Sequence, residues 1–496
     1  MSPFRGLSRA SLWVLVTGLI VPGLAQAQEP PAPDAPPATV TPATASSDEV
    51  KALEARVRLL EAKLALPAPE PPITAGFSNG SFWISSRNGA FRISPSLRAH
   101  IDVYLYAPTP EKAGQLRDTF ALRRARPELI GSFFNDKVTW MVAGDLSNFA
   151  DGIAATDVFA AFHIHDWFHV QVGQFDLPFT LENRTSDKYI DFLERSFVVR
   201  NLGLSNKEPG LMLYGSPKDF LFYYSVGISN GSGVNLANLD NNFDVLGRLF
   251  VRPLARMKTP FKKLQLGASG HWGLRHLTNQ PYLGGSAAAQ SNNWLTLQSN
   301  QAILKTVYNN AAGGQVGVVP EGTTGRAAVE LVMPVWKFQL RGEYIYLHEE
   351  ADENLISTAV AQRKGGLISS HGTYVQLSYW PLGDQSVLPE PGLETPPTFN
   401  RQGDAPASNF HVQLVARYEF ARIDYGPGTA QGMVTDGSPL GARYDFWAFG
   451  LGANMWWTRH IRLSANYILS NLDASQTLAP QHTMIHEIDF RVGLAL

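Results

Sequence analysis

What most restricts the fold open to this chain is the length of its alternating runs. Leu97, Ala99, Ile101, Val103 and Leu105 interleave with Arg98, His100, Asp102 and Tyr104. Trp336, Phe338, Leu340, Gly342 and Tyr344 interleave with Lys337, Gln339, Arg341 and Glu343, and comparable runs cover residues 410–418 and 461–469. A period of two sends apolar side chains to one face of a strand and polar ones to the other. Each run has about ten residues or more, enough to cross a bilayer at a tilt, whereas strands of soluble proteins usually have about five or six. The runs therefore predict strands with one face in lipid and one in water. They argue against a soluble β-sandwich or a β-helix.

Counting such segments yields about sixteen, an even number as in bacterial barrels whose ends meet in the periplasm. They lie near 91–106, 118–133, 136–147, 154–165, 167–175, 209–216, 219–230, 242–254, 263–276, 324–334, 336–349, 369–382, 408–424, 441–457, 459–471 and 482–496. Short connections at Asn135-Asp136, 216–218 and Pro334-Val335 read as periplasmic turns, and the longer 231–241, 277–323, 350–368 and 425–440 as extracellular loops. Residues 384–407 break the pattern and read as an elongated periplasmic turn. Trp140, Trp167, Trp380, Trp456 and Trp457 fall at strand ends, where interfacial aromatic girdles belong. The last run, Ile488, Phe490, Val492 and Leu494 against Glu487, Asp489 and Arg491, ends on Leu496, where outer-membrane barrels generally end on an aromatic. The expected fold class is all-β: a 16-stranded antiparallel transmembrane β-barrel over residues 81–496.

Composition agrees. Charged residues are 17% and aromatics 11% of the chain, yet the mean hydropathy of -0.11 is not that of a helical membrane protein. There is no cysteine, which excludes disulfides, thiolate catalysis and cysteine-held metals. Residues 1–27 read as a signal peptide: Arg5 and Arg9, then an apolar run from Leu12 to Val21, then Ala25-Gln26-Ala27 with cleavage before Gln28. Losing those two arginines leaves 39 basic against 43 acidic residues, a net -4, so nucleic acid is not expected as a partner. Residues 28–47 form a Pro/Ala-rich linker. Over 48–66, Val50, Leu53, Val57, Leu60 and Leu64 alternate at spacings of three and four, an a/d seam that predicts a short coiled-coil helix held by assembly. A second linker spans 67–80.

One segment fits neither strand nor turn. After the strand ending near 175, Pro178 breaks the ladder because it has no N–H to donate. Residues 176–208 then read as neither helical nor strand-like, and mix aromatics with Arg184, Lys188, Arg195, Arg200, Glu182, Asp187, Asp191 and Glu194. A loop this long is functional or disordered, and its aromatics argue against disorder. It is expected to fold into the lumen as a constriction loop.

Two motifs carry a resemblance. Residues 120–131, FALRRARPELIG, and the stretch GQFDLPFTLENRTSDKYIDFLERS, with SFWISSRNGAFRISPSLRAHIDVYLY ahead of them, resemble the phosphate-selective porins O and P over roughly residues 80–496. The resemblance implies sixteen-stranded trimeric outer-membrane channels that pass phosphate or other small anions along arginine and lysine side chains. It also accommodates a short helix ahead of the barrel.

Anion selectivity needs cations aimed at a narrow lumen, and guanidinium groups match oxyanions with paired donors. Arg98 and His100 lie on the polar face of the first strand; Arg124, Arg126 and Glu128 form the lumen set of the second. Arg123 shares a face with Ala121, Ala125 and Leu129 and points at lipid unless a bulge turns it inward. Arg248 and Arg275 are further inward candidates. In the loop Lys188 leads, then Arg184, while Arg195 either faces the lumen or anchors the loop. The anion pathway expected is Arg98, Arg124, Arg126, Arg184, Lys188, Arg195 and Arg248. The same-face pairs Arg341/Glu343, Arg417/Glu419 and Asp489/Arg491 read as wall networks that satisfy each other across strands. The function expected is passive diffusion of small anions, phosphate or polyphosphate, through a homotrimer in outer-membrane lipid. The alternatives are a weakly selective diffusion porin, a barrel enzyme and a structural or adhesive barrel. For an enzyme, His163 and His165 lack a third metal ligand, and no convincing nucleophile turn is present; neither metal nor cofactor is expected.

Overall fold

The computed structural model describes residues 46–65, 72–78, 81–107, 118–147, 153–204, 207–217, 220–276, 307–309, 315–355, 360–383, 410–426, 429–430, 443–474 and 483–495. The signal peptide, most of the first linker, the 384–407 segment and most of the 277–323 loop lie outside them. The chain divides into two units, Met1–Glu70 and Pro71–Leu496.

In the first unit a single helix, α1 (Ser47–Ala65), is described. Ser46 starts it with a capping box: Glu49 N–H donates to Ser46 Oγ at 3.3 Å, and Ser46 N–H donates to Glu49 Oε2 at 3.1 Å. Val50, Leu53, Val57 and Leu60 are exposed on it.

The second unit opens with a hairpin, β1 (Ile73–Ser78) and β2 (Ser81–Ser86), whose first strand lies in the stretch read as a linker. The strands that follow are β3 (Phe91–Ala107), β4 (Thr119–Phe133), β5 (Val138–Asp145), β6 (Ala154–His165), β7 (Phe168–Asp176), β8 (Lys207–Gly215), β9 (Phe222–Ser229), β10 (Asp244–Val251) and β11 (Gln265–His276). Then come β12 (Val307–Asn309), β13 (Gln315–Val335), β14 (Phe338–Leu355), β15 (Val360–Leu382), β16 (His411–Gly426), β17 (Thr429–Ala430), β18 (Arg443–Trp456), β19 (Ile461–Ala474) and β20 (Thr483–Ala495). Two short helices, α2 (Leu181–Arg184) and α3 (Phe197–Leu202), lie between β7 and β8. Apart from the hairpin and the short β12 and β17, the strands form a closed antiparallel barrel of 16. β20 closes onto β3 from His486↔Ala107 to Ala495↔Arg98. The rim with the short turns, where the barrel begins and ends, is the periplasmic one.

β13, β14 and β15, with 21, 18 and 23 residues, run past the membrane-length segments read from sequence into the supposed loops. The extension is invisible to a lipid-facing alternation because Glu349-Glu350-Ala351-Asp352-Glu353 is polar on both faces. Trp167 and Trp457 are exposed as girdle residues, but Trp380 and Trp456 face inward, at 3% and 4% exposure. They share the inward parity of Ser378 and Asn454, and parity outranks position at a strand end.

The inner wall from β14 to β20 is divided by height. Towards the periplasm it carries Gln339, Arg341, Glu343, Gln413, Arg417, Glu419, Arg462 and Arg491; towards the cell exterior it carries Ile345, Leu347, Ile423, Phe446, Ile468 and Leu472, all buried. The apolar zone packs with Phe197, Val198, Val199 and Leu202 of α3 into one cluster. A wet barrel interior needs no such cluster; an occupied one does.

Candidate functional site

What occupies the interior is the segment between β7 and β8. Thr180 Oγ1 accepts from Asn183 N–H at 3.4 Å to start α2, and Ser196 Oγ accepts from Val199 N–H at 3.1 Å to start α3. The loop therefore contains helix, contrary to the sequence reading; elements of 4 and 6 residues are too short for a helical period to register. The amides at their starts meet wall carboxylates. Leu181 and Glu182 N–H donate to Glu343 at 2.7 and 2.8 Å, and Phe197 N–H donates to Glu419 at 2.5 Å, so amides left free at both helix starts are satisfied by the wall.

On the other side, two loop carboxylates sit in a basket of arginines. Asp187 is paired with Arg98, with Arg124 Nε at 2.7 Å and with Arg126 Nη1 at 3.3 Å. Glu194 receives Arg123 Nε at 3.0 Å, Arg124 Nη1 at 2.9 Å and Arg491 Nη2 at 2.8 Å. Burial alone would raise both carboxyls. For Asp187 the guanidinium groups of Arg98, Arg124 and Arg126 outweigh it, and for Glu194 those of Arg123, Arg124 and Arg491 do, so both stay well below the usual carboxylate range. Next to them Lys188 Nζ binds Glu128 Oε2 at 2.8 Å and Ser96 Oγ at 3.2 Å. Burial and the charge of Arg98 lower the Lys188 ammonium against the pull of Glu128.

Arg123 reaches Glu194 through a bulge. His100 pairs with Arg124 but Ile101 pairs with Leu122, so Arg123 is the extra residue opposite no partner. The strict alternation that points Arg123 at lipid does not survive this insertion.

The far wall holds the loop by side chains rather than by self-pairing. Asp191 accepts from Gln376, from Ser378 Oγ at 2.8 Å and from Gln413 Nε2 at 2.5 Å, while Asn454 Nδ2 donates to the Asp191 carbonyl at 2.7 Å. Arg462 Nη1 donates to the Ile190 carbonyl at 2.8 Å. Arg417 lies over the Phe192 ring at 4.1 Å, and a Cβ at Gly450 would come within 2.7 Å of that ring. Of the pairs read as self-satisfying wall networks, Arg417 and Glu419 do meet, at 2.7 Å. Glu343, Glu419 and Arg491 spend their polarity on the loop as well.

The structure thus brings Arg98, Arg124, Arg126 and Lys188 together with Arg123 and Arg491. Arg126 also binds Asp145 at 2.6 Å. Arg195 donates to the carbonyls of Glu182, Asn183 and Thr185 at 2.8, 3.3 and 2.9 Å, tying the loop to itself. Arg184 donates to the Asp176 carbonyl and lines a cavity of about 410 Å³ with His163 and His169. Arg248 pairs with Glu330 at 2.6 Å and Arg275 with Asp244 at 2.5 Å, both inward as read but within their own wall. His163 faces His169, Nδ1 to Nδ1 at 3.0 Å, and His165 lies against Trp167. Among the described residues no group of three or more His, Asp or Glu could hold a metal. Arg491 carried no signal in the sequence beyond its inward parity.

With this geometry in place, the family can be read. The model of the family described as phosphate-selective porin O and P matches residues 95–492. The chain belongs to that family. It is an outer-membrane porin of a Gram-negative bacterium. No curated protein matches it. Among solved structures, the porin is similar to an anion-selective porin from Comamonas acidovorans, at 10% identity and a TM-score of 0.48, over 82% of this chain and 100% of that one. It is also similar to the outer membrane channel DcaP of Acinetobacter baumannii, at 10% identity and a TM-score of 0.46, over 83% and 99% of the two chains. The trimer form of OmpT from Vibrio cholerae matches at 11% identity and a TM-score of 0.46, over 82% and 100%.

Proposed function

We propose that the porin passes small anions, phosphate or polyphosphate foremost, through a lumen narrowed by the 176–208 loop. The observation that supports this reading is the convergence of Arg98, Arg123, Arg124, Arg126 and Arg491 on two loop carboxylates. Five guanidinium groups already hold two oxyanions, and a phosphate presents the same paired acceptors as Asp187 and Glu194. Passage follows the edge of this basket, with solute and loop carboxylates competing for the same donors. Binding must be weak enough for release, and that competition makes it so.

The test is chloride conductance in planar bilayers titrated with phosphate. A phosphate-accepting basket gives a saturable fall in chloride current, and Arg124→Gln weakens it. Unchanged current at every phosphate concentration contradicts the reading. The weakly selective alternative rests on one observation: Glu128, Asp145, Asp187 and Glu194 offset four of the six basic side chains they touch. It predicts similar currents for chloride and phosphate.

The same reading takes the porin as a homotrimer whose α1 helices pack through Val50, Leu53, Val57 and Leu60, exported by a signal peptide cleaved before Gln28.

A further inference from the structure

Among the described turns of the periplasmic rim, one is much longer than the others. The described turns at 166–167 and 336–337 have two residues, and those at 134–137 and 457–460 have four. Between β10 and β11 the rim instead runs through residues 252–264, RPLARMKTPFKKL. This stretch is a chain of successive turns, closed by Ala255 N–H to Arg252 O at 3.1 Å, Met257 N–H to Leu254 O at 2.9 Å, Lys262 N–H to Thr259 O at 3.2 Å and Leu264 N–H to Phe261 O at 2.8 Å. It holds Arg252, Arg256, Lys258, Lys262 and Lys263 and no carboxylate, in a chain whose acids outnumber its bases. Lys258, Lys262 and Lys263 are exposed, and next to them in the chain Met257 and Phe261 expose 58% and 41% of their surface.

We infer that this turn is a binding surface for the phosphate headgroups of anionic phospholipid in the inner leaflet of the outer membrane. Three features carry the inference. The turn continues the lipid-facing band, because Leu249, Val251 and Leu266 on the flanking strands are exposed apolar residues that run into it. Apolar Met257 and Phe261 placed among cations reproduce the pattern of segments that lie in a membrane interface, the apolar groups at the acyl boundary and the ammonium groups at headgroup level. A turn whose own sequence carries five cations and no acid attracts anionic lipid within a Debye length of the surface. An acidic soluble protein would be met by the charge alone; the exposed Met257 and Phe261 at the membrane rim favour lipid.

The full-length porin, reconstituted in vesicles of phosphatidylcholine with brominated phosphatidylglycerol or brominated phosphatidylcholine at equal mole fraction, tests this. Phe261→Trp adds a local reporter, read as the difference in quenching from the unsubstituted chain. The expected result is quenching by the anionic lipid about tenfold more effective at low mole fraction, reduced to equality when Lys258→Gln, Lys262→Gln and Lys263→Gln are added, with channel conductance retained. Equal quenching by the two lipids, or a preference that survives the three substitutions, overturns the inference. So does loss of the preference in millimolar inorganic phosphate at constant ionic strength, which would make the surface a site for free phosphate.

Discussion

Arg491, on the strand that closes the barrel, donates to Glu194, in the loop that fills it, at 2.8 Å. Arg491 also holds Asp102 on the adjoining first barrel strand, at 2.6 and 2.7 Å. The closing seam and the loop between β7 and β8 are therefore one electrostatic unit, and a loop residue can report on the wall and the wall on the loop.

Glu194→Gln leaves Arg123, Arg124 and Arg491 without their shared carboxylate. Breaking a buried pair from one side costs about 3–5 kcal/mol. The expected outcome is a loop released from the basket, seen as a larger and noisier single-channel conductance and a shift of selectivity towards anions. A quiet channel of unaltered conductance would show that the carboxylate does not hold the loop.

Lys188→Glu replaces the partner of Glu128 by a like charge. Reversal potentials under a salt gradient should move towards cations relative to the unsubstituted porin. Lys188→Arg, which preserves the charge, should leave them in place.

Gly450→Ala tests the far wall. The added carbon would lie 2.7 Å from the Phe192 ring, which is buried under Arg417, and overpacking of this kind costs about 1–3 kcal/mol. Thermal unfolding should come at a lower temperature, and Phe192→Leu in the same chain should recover part of the loss.

The pH dependence has a definite sign. Asp187 and Glu194 are held below their ordinary values by the arginines, so their contribution to loop docking is complete above the unfolded values of about 4. It is lost only as pH falls through the lowered ones. Conductance should stay constant from neutral pH down to about 5 and rise in stronger acid; a transition near pH 6–7 would assign docking to another group.

Glutamate at Leu53 and Leu60 tests the seam of α1, where both side chains are exposed. On the proposed homotrimer, cross-linking should then yield fewer trimers, with the barrel still folded. An unchanged trimer yield would place the oligomer contact elsewhere.

The barrel was legible because lipid imposes its demand on every second residue of Leu97–Leu105 or Ile461–Leu469, and no turn chemistry is needed to see it. Lipid has no hold on the interior. Ile345 and Ile423 continue the inward parity of Glu343 and Glu419 but are apolar, because they meet α3 instead of water, and that partner is over a hundred positions away in the chain. The site was half legible for the same reason. Arg98, Arg124 and Arg126 follow strand parity; Arg123 depends on a one-residue bulge, and Arg491 on a loop that no local pattern connects to the last strand. Lys188 was placed by its loop, while Arg195 turned out to bond carbonyls of the loop itself.

The central claim is that a basket of arginines sets the selectivity of the constriction. Its most direct measure is the reversal potential of the purified porin in a planar bilayer under a potassium chloride gradient, with and without Arg98→Gln, Arg124→Gln and Arg126→Gln together. A chloride-selective potential that falls towards zero in the triple variant is the predicted result. A potassium-selective potential in the unsubstituted porin, or one that the three substitutions leave unchanged, would contradict it.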